Sequence, residues 1–437
     1  MNQENASAKS KPALSKLHYA WVIAFAGMLI SGAGVGIVNS TLGVFVRPVC
    51  EELGFLRGQF TLYSSISTLV CVVLMPVFGT LFRRFGFRRI AVIGAIACGL
   101  VLMGYSFSSK LWHFYLFAFL SGIFVNGIGI MSVGILVNQW FIDKKGLATG
   151  IAYSGSGLVA AILIPITNKF IELHGWRWGY RFLAIISLSV LLLVILFVVQ
   201  NKPEDKGLEP YRTGESQKKS AQPSVSLDVG LTREEAFHKT AFWMLAIAVM
   251  GITLCQAGPH VHTASFLSDI GYSSAFASSV SSVYMLLLTA CKVVMGYVFD
   301  KLGSLKGSLL IGGCCVLFPI VALFAANPVI PWVYIVFLAM ASSGATILAT
   351  VLTTNYFGGK DFSRVYSIIS MFSYFGITIS SPLLGTIYDL TGGYTVAWIL
   401  IACVGIVVCA CLIGTNRLSR SIVFENTKKE VEASETV

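Results

Sequence analysis

Charge is what this sequence has least of. Asp, Glu, Lys and Arg make up 12% of its 437 residues, about half the share of an ordinary soluble domain, whereas 56% are hydrophobic. A water-soluble globular chain is excluded on that ground. Chemistry-bearing clusters are missing too. No His, Cys or acidic residues gather at metal-ligand spacing, and there is no nucleophile motif and no glycine loop to cradle a phosphate. An enzyme is therefore not expected, nor a cofactor, nor a metal. The ten cysteines (50, 71, 98, 255, 291, 314, 315, 403, 409, 411) lie mostly inside apolar runs and include no Cys-x-x-Cys pair with a nearby His, so neither a zinc site nor a disulfide framework is expected. They read as small apolar packing residues.

What is abundant is apolar sequence in long runs. Stretches of ~18 or more residues, each able to cross ~30 Å of hydrocarbon, recur along nearly the whole chain. The fold expected is an all-α membrane protein with twelve spans, at about 19–43, 59–82, 89–107, 112–138, 146–170, 178–199, 241–265, 276–299, 307–326, 331–353, 364–388 and 394–414. The first run is too long for a cleavable signal peptide, and the pattern continues after it.

The few charges are placed unevenly. Of the 31 Lys and Arg, 24 fall in the two tails and the loops on their side. Six (Arg47, Arg57, Lys110, Lys169, Arg177 and Arg181) fall in the opposite loops and the span ends that border them, and one, Lys292, falls in the interior of a span. By the positive-inside rule both termini are cytoplasmic, in a plasma or inner membrane. The net charge of +11 is thus a topology signal. The run Arg83-Arg84-Phe85-Gly86-Phe87-Arg88-Arg89 reads as a short cytoplasmic loop, and no nucleic-acid partner is expected.

One polar segment divides the spans six and six. The expected organisation is a tail (1–18), a six-helix half (19–199), a cytoplasmic linker (200–240), a second six-helix half (241–414) and a second tail (415–437). The linker ends in Thr232-Arg233-Glu234-Glu235, a capping box that opens a short helix. The halves also repeat one another. Gly79, Arg83 and Gly86 fall over Gly296, Asp300 and Gly303 at an offset of 217, shared by Pro165 with Pro382 and Gly175 with Gly392. Phe141 and Phe357 match with a one-residue slip. Repeated helical halves are the signature of alternating-access carriers, whose binding site lies between the halves near the midplane.

These loops carry a resemblance. The stretch Gly79 to Gly86, and its copy Gly296 to Gly303, resemble the Gly-x-Leu-x-Asp-Arg-x-Gly loop of the major facilitator superfamily. The start of span 5, Trp140-Phe141-Ile142-Asp143-Lys144-Lys145-Gly146 through Ser154-Gly155-Ser156-Gly157, is similar to the signature of the monocarboxylate transporters and oxalate/formate antiporters. So is the stretch from Asn355 through Ser381-Pro382 to Gly392. The resemblance implies the major facilitator fold. It also implies a conformational latch at Gly296, Asp300 and Lys301, with Arg84 in the first copy. Arg83 stands where the family usually has an acid, which leaves Asp300 to carry any such latch alone. Glycines in spans 4 and 5 allow helices to approach and slide.

Lys292 is the one charge that needs explaining, because an ammonium in hydrocarbon costs roughly 2.5–3.5 kcal/mol on insertion scales. It lies eight residues before Asp300, about 12 Å from the cytoplasmic end, too far for its stem to snorkel out fully. One reading is a structural lysine that reaches a cavity or a helix-end carbonyl. The other is a fixed cation for an anionic substrate. In the branch resembled, a basic residue at this turn of span 8, usually Arg, meets the substrate carboxylate. Lysine offers a point charge rather than a two-pronged fork. The oxalate antiporter's second basic residue in span 11 has no counterpart around Ser373-Tyr374-Phe375-Gly376, which favours monocarboxylates. The aspartate of the proton-coupled animal members is replaced by Leu288.

Other polar groups in apolar helices are Asn39, Asn126, Gln139, Gln256 and Tyr284, each open to cavity lining or to bonding a neighbouring helix. Asn126, Asn39 and Tyr284 lie at substrate depth. His260 and His262 are candidates for proton handling, because histidine titrates near neutrality. Their alternative is an interfacial role. The expected function is alternating-access transport of a small organic anion, a monocarboxylate above all, by proton symport or anion exchange, in a monomer. Efflux of larger hydrophobic anions or drugs is the rival. A membrane sensor is a third reading, for which the 39 residues of 201–239 leave no room for a regulatory domain.

Overall fold

The computed structural model describes residues 18–40, 43–212 and 230–435, without the side chains at 39–40, 43, 57–58, 274, 278 and 420–435. The spans are helices throughout. Spans 1 to 7 are Tyr19–Val38, Gln59–Phe85, Phe87–Ser106, Leu111–Trp140, Lys145–His174, Trp176–Val198 and Thr240–Asp269. Spans 10 to 12 are Ile330–Phe357, Phe362–Thr391 and Thr395–Ser419. Between them runs one stretch of 48 residues, Ala275–Ala322. As a straight helix it would measure about 72 Å, more than twice the hydrocarbon thickness. It is two spans. Gly303 breaks it at φ 78°, ψ 171°, in a left-handed region open to glycine at no steric cost. Span 8 is therefore 275–302 and span 9 is 304–322, and twelve crossings result.

The break has a twin. Gly86, 217 residues earlier, turns the chain between spans 2 and 3 at φ 76°, ψ 165°. Gly175 and Gly392, at the same offset, both have positive φ, and Pro165 and Pro382 both lie inside helices. The repeat seen in the letters is thus a repeat of backbone geometry.

Burial separates the spans into layers. In spans 4 and 10, 78% of the most apolar stretch is buried, against 33% in spans 2, 6, 11 and 12. The former line the middle of the bundle and the latter show lipid large side chains such as Leu69 and Phe197. Lipid tails are as apolar as leucine, so association rests on close packing and interhelical hydrogen bonds rather than on hydrophobic burial. Span 1 meets span 5 through the Ser31 hydroxyl, which donates to the Ala152 carbonyl (2.5 Å). Span 7 meets span 11 in the same way, with Thr253 donating to Ser373 O (2.8 Å) and Ser380 to Leu254 O (2.5 Å).

The described parts of the linker, 200–212 and 230–240, lie on one face of the molecule. Phe141 and Tyr211 pair through backbone hydrogen bonds, and Trp21 packs on both rings. Thr232 caps the short helix Arg233–Phe237 and Glu235 closes the capping box. This surface, which also carries the ends of spans 1 and 12, is called the linker face below.

Candidate functional site

Lys292 projects from span 8 into span 5, not toward the membrane surface. Its ammonium donates to the Tyr153 carbonyl (3.1 Å) and to the Ser156 hydroxyl (2.9 Å), and the residue is 6% exposed. Both acceptors are neutral. The approach requires Gly150, because a Cβ there would collide with the Lys292 carbonyl. The lysine thereby bridges the two halves.

From this point a stack of polar contacts runs between the halves toward the linker face. One level down, three buried hydroxyls close a ring. Tyr153 Oη lies 2.9 Å from Thr350 Oγ1 and 3.2 Å from Tyr366 Oη, and Thr350 donates to Tyr366 (3.0 Å). Below it, Asn138 Oδ1 accepts from Thr354 (2.7 Å) and from Lys145 (3.0 Å). At the linker face Asp300 accepts from the backbone N–H groups of Gly146 (2.8 Å) and Leu147 (2.7 Å). A carboxylate suits these free amides at the start of span 5, where the helix dipole is positive. Gly146 and Gly296 meet backbone to backbone beside it, with no room for a side chain on either.

The expectation that Asp300 alone ties the halves at this face is corrected here. Arg83 donates to Asp361 across the halves at 2.7 Å, and Asp361 is almost wholly buried. Asp361 also accepts from the backbone N–H of Arg233 (3.0 Å), so the linker helix joins the same carboxylate. The reason is a charge exchange between the repeats. Asp361 follows Lys144 by the shared offset of 217, as Asp300 follows Arg83. In one copy the loop acid reaches the start of span 5 beside Lys144. In the other the acid sits at the start of span 11 and the loop supplies the base. Arg84 and Lys301 take no part in these ties. The Arg84 guanidinium lies over Phe85 and the Lys301 ammonium near the Tyr297 ring.

The remaining candidates are spread out. Asn126 sits where span 4 loosens into the tight turn Val125–Gly127. Its amide donates to the carbonyls of Cys71 (3.1 Å) and Gly122 (3.4 Å). It borders a small cavity of about 20 Å³ with Ser67, Cys71, Gly129 and, from the other half, Tyr374. The Asn39 side chain lies outside the described residues. Tyr284 is buried and donates to Ser342 (3.0 Å), with the His260 ring 4.8 Å from its own. His262 bonds Tyr394 (3.1 Å) and the Ser381 hydroxyl (3.1 Å). The two histidines thus belong to separate environments within the second half. The buried Gln139 Oε1 has no partner. Among the described residues no three His, Cys, Asp or Glu side chains gather as a metal site.

Tyr153, Ser156, Thr350, Tyr366, Asn138 and Asp361 were not singled out from the sequence. Hydroxyls in apolar helices carry no periodic signal. Asp361 did have one, since a reading of the repeat for exchanged charges pairs it with Lys144.

Twelve helices in two related halves, tied to one another along one face, are the architecture of a membrane transporter. The chain belongs to the Major Facilitator Superfamily, whose description matches residues 24–338 and 263–433. The E. coli fucose:proton symporter shares the fold, with a TM-score of 0.66 at 12% identity over 91% of this chain and 99% of that one. Monocarboxylate transporter 2 of mouse is 21% identical over 94% of this chain and 87% of its own length. The riboflavin transporter MCH5 of Saccharomyces cerevisiae is 26% identical, over 85% and 72% respectively. Human monocarboxylate transporter 11 is 25% identical over 65% of this chain, and the match spans 57% of that relative.

Proposed function

We propose that this transporter carries small organic anions, monocarboxylates foremost, across the plasma or inner membrane, and that Lys292 is the cation that receives the carboxylate. The observation that carries this reading is a buried ammonium between the halves whose two acceptors are neutral. A buried charge without a counter-charge is costly, and an anionic substrate supplies one. Once neutralised, the site faces a lower electrostatic barrier to closure. The names of relatives such as mouse monocarboxylate transporter 2 support the substrate class.

With the linker face cytoplasmic, as the excess of Lys and Arg there indicates, the Asp300 and Arg83–Asp361 ties join the two halves on the cytoplasmic side. Asn126 and Tyr374, which border one small cavity, are the candidates to meet the substrate's uncharged end. A larger planar substrate is the second reading, favoured by the yeast riboflavin transporter among the relatives. Counterflow in proteoliposomes tests both, with lactate, pyruvate, formate, oxalate, an aromatic acid and riboflavin as competitors, with and without a pH gradient. Saturable exchange of monocarboxylates is expected. Exchange confined to riboflavin, or none for any carboxylate, would overturn the first reading.

A further inference from the structure

Tyr153 holds two things at once. Its backbone carbonyl takes one hydrogen of the Lys292 ammonium. Its side-chain hydroxyl closes the ring with Thr350 and Tyr366, joining span 5 of the first half to spans 10 and 11 of the second. All three ring residues are buried, at 0%, 3% and 2% exposure. Their setting is dry, and a hydroxyl stripped of its partner there costs far more than one at the surface. The ring therefore cannot open quietly. Opening strips the Tyr153 hydroxyl of both its partners, whereas Thr350 keeps the Thr346 carbonyl (3.4 Å) within its own helix. A closed ring of three hydroxyls also satisfies one donor and one acceptor on each member with no charge involved, so it binds the halves without competing for an anionic substrate.

We propose that Tyr153 is the positioning residue that couples occupancy of Lys292 to the opening of the linker face. The coupling rests on the reading of Lys292 as the anion's partner. In the empty carrier the Tyr153 carbonyl and Ser156 park the ammonium against span 5, and the Tyr153 hydroxyl fastens the same turn of span 5 to the second half. An arriving carboxylate takes the ammonium and releases the first tie. The second tie alone then holds the halves, and the rocking motion breaks it as water enters from the linker face. Binding and release are thereby ordered, with Lys292 moving first and the hydroxyl ring parting second. Thr350 and Tyr366 are the receiving side of this clasp, and Asn138 with Thr354 forms the next rung below.

The test separates the clasp from the cation. Tyr153→Phe removes the hydroxyl but keeps the ring volume and the carbonyl, so the lysine keeps its resting place. Spin labels placed on the linker-face ends of spans 5 and 10 report the separation of the halves in full-length protein reconstituted in nanodiscs without substrate. Tyr153→Phe is expected to raise the fraction open at the linker face by about threefold to tenfold, the range for a net hydrogen bond. Thr350→Val is expected to do the same, and the double variant to add little more, because both act on one ring. In counterflow, KM for the transported carboxylate should stay within about twofold while the turnover changes, which a merely structural loss of packing would not produce. Lys292→Gln should leave the ring, and with it the empty-state closure by Tyr153, in place. If Tyr153→Phe and Thr350→Val leave the distance distribution and turnover unchanged, or if their effects on opening simply add, the coupling role is wrong. That result would leave the assignment of Lys292 standing. Retained carboxylate exchange in Lys292→Gln would instead overturn the reading of Lys292 and with it the coupling, while raised opening in Tyr153→Phe would still show the hydroxyl tie between the halves.

Discussion

A lysine that spends its ammonium on a backbone carbonyl and a serine hydroxyl is chemically unfinished. Both acceptors compete poorly with a carboxylate, because it brings an opposite full charge to the ammonium as well as a hydrogen bond. On the proposed function, Ser156 and the Tyr153 carbonyl are the rest from which an anion lifts Lys292. Lys292→Arg keeps the charge and adds a planar fork with a more weakly hydrated head. Transport should survive in that variant, with a lower KM for carboxylates and a slower turnover, measured as initial rates of exchange in proteoliposomes. Inactivity equal to that of a neutral replacement would mean that the compact ammonium, not the charge, is what the site requires. Lys292 was legible in the letters because every other Lys or Arg found a place in the tails, the loops or the span ends. Its partners were not, for a backbone carbonyl has no residue type and serine is common in helices.

The helix ends at the linker face work as elements rather than as single residues. Span 8 crosses span 5 at Gly146 and Gly296, where backbone meets backbone and the amides at the start of span 5 rest on Asp300. Gly296→Val inserts a side chain into the Gly146 carbonyl, so closure at this face should fail. A cysteine introduced as Asn138→Cys, in a background cleared of native cysteines, should then react faster with a permeant maleimide than it does with Gly296 in place. Equal labelling would show that the crossing does not control closure. On the other side of the pseudo-symmetry, Arg83 is half exposed and Asp361 is buried, so their pair is worth about 1 kcal/mol and its loss roughly a fivefold shift toward the open face. Arg83→Asp should produce that shift, and Arg83→Asp with Asp361→Arg should recover part of it. Full recovery is not expected, because Asp361 also accepts from the Arg233 amide of the linker helix. The same inter-half distance measurement reads both. Of these two ties, only the Asp300 loop was legible as a family motif. The other was hidden because its charges are exchanged between the copies.

At the scale of the whole molecule, the repeat is the principle that arranges everything else. An offset of 217 places Gly86 over Gly303 and Gly175 over Gly392, and the backbone turns with positive φ at all four. Hydropathy and loop charge were enough to find twelve spans, even where span 8 and span 9 run together as 48 helical residues. They could not show which faces of the spans meet, since a membrane helix is apolar on all sides and its contacts are set by small residues and scattered hydroxyls. That is why the hydroxyl ring and the broken turn of span 4 appear only in three dimensions. The two halves close against each other through a graded stack that runs from charge at the linker face, through amide and hydroxyl, to one buried ammonium. Transport on this account is the exchange of that ammonium's neutral partners for a carboxylate. The most direct measurement is counterflow of a radiolabelled monocarboxylate by Lys292→Gln in proteoliposomes, with folding checked by a monodisperse elution profile. No exchange above protein-free vesicles is expected. Exchange at the rate of the unaltered protein would contradict the account.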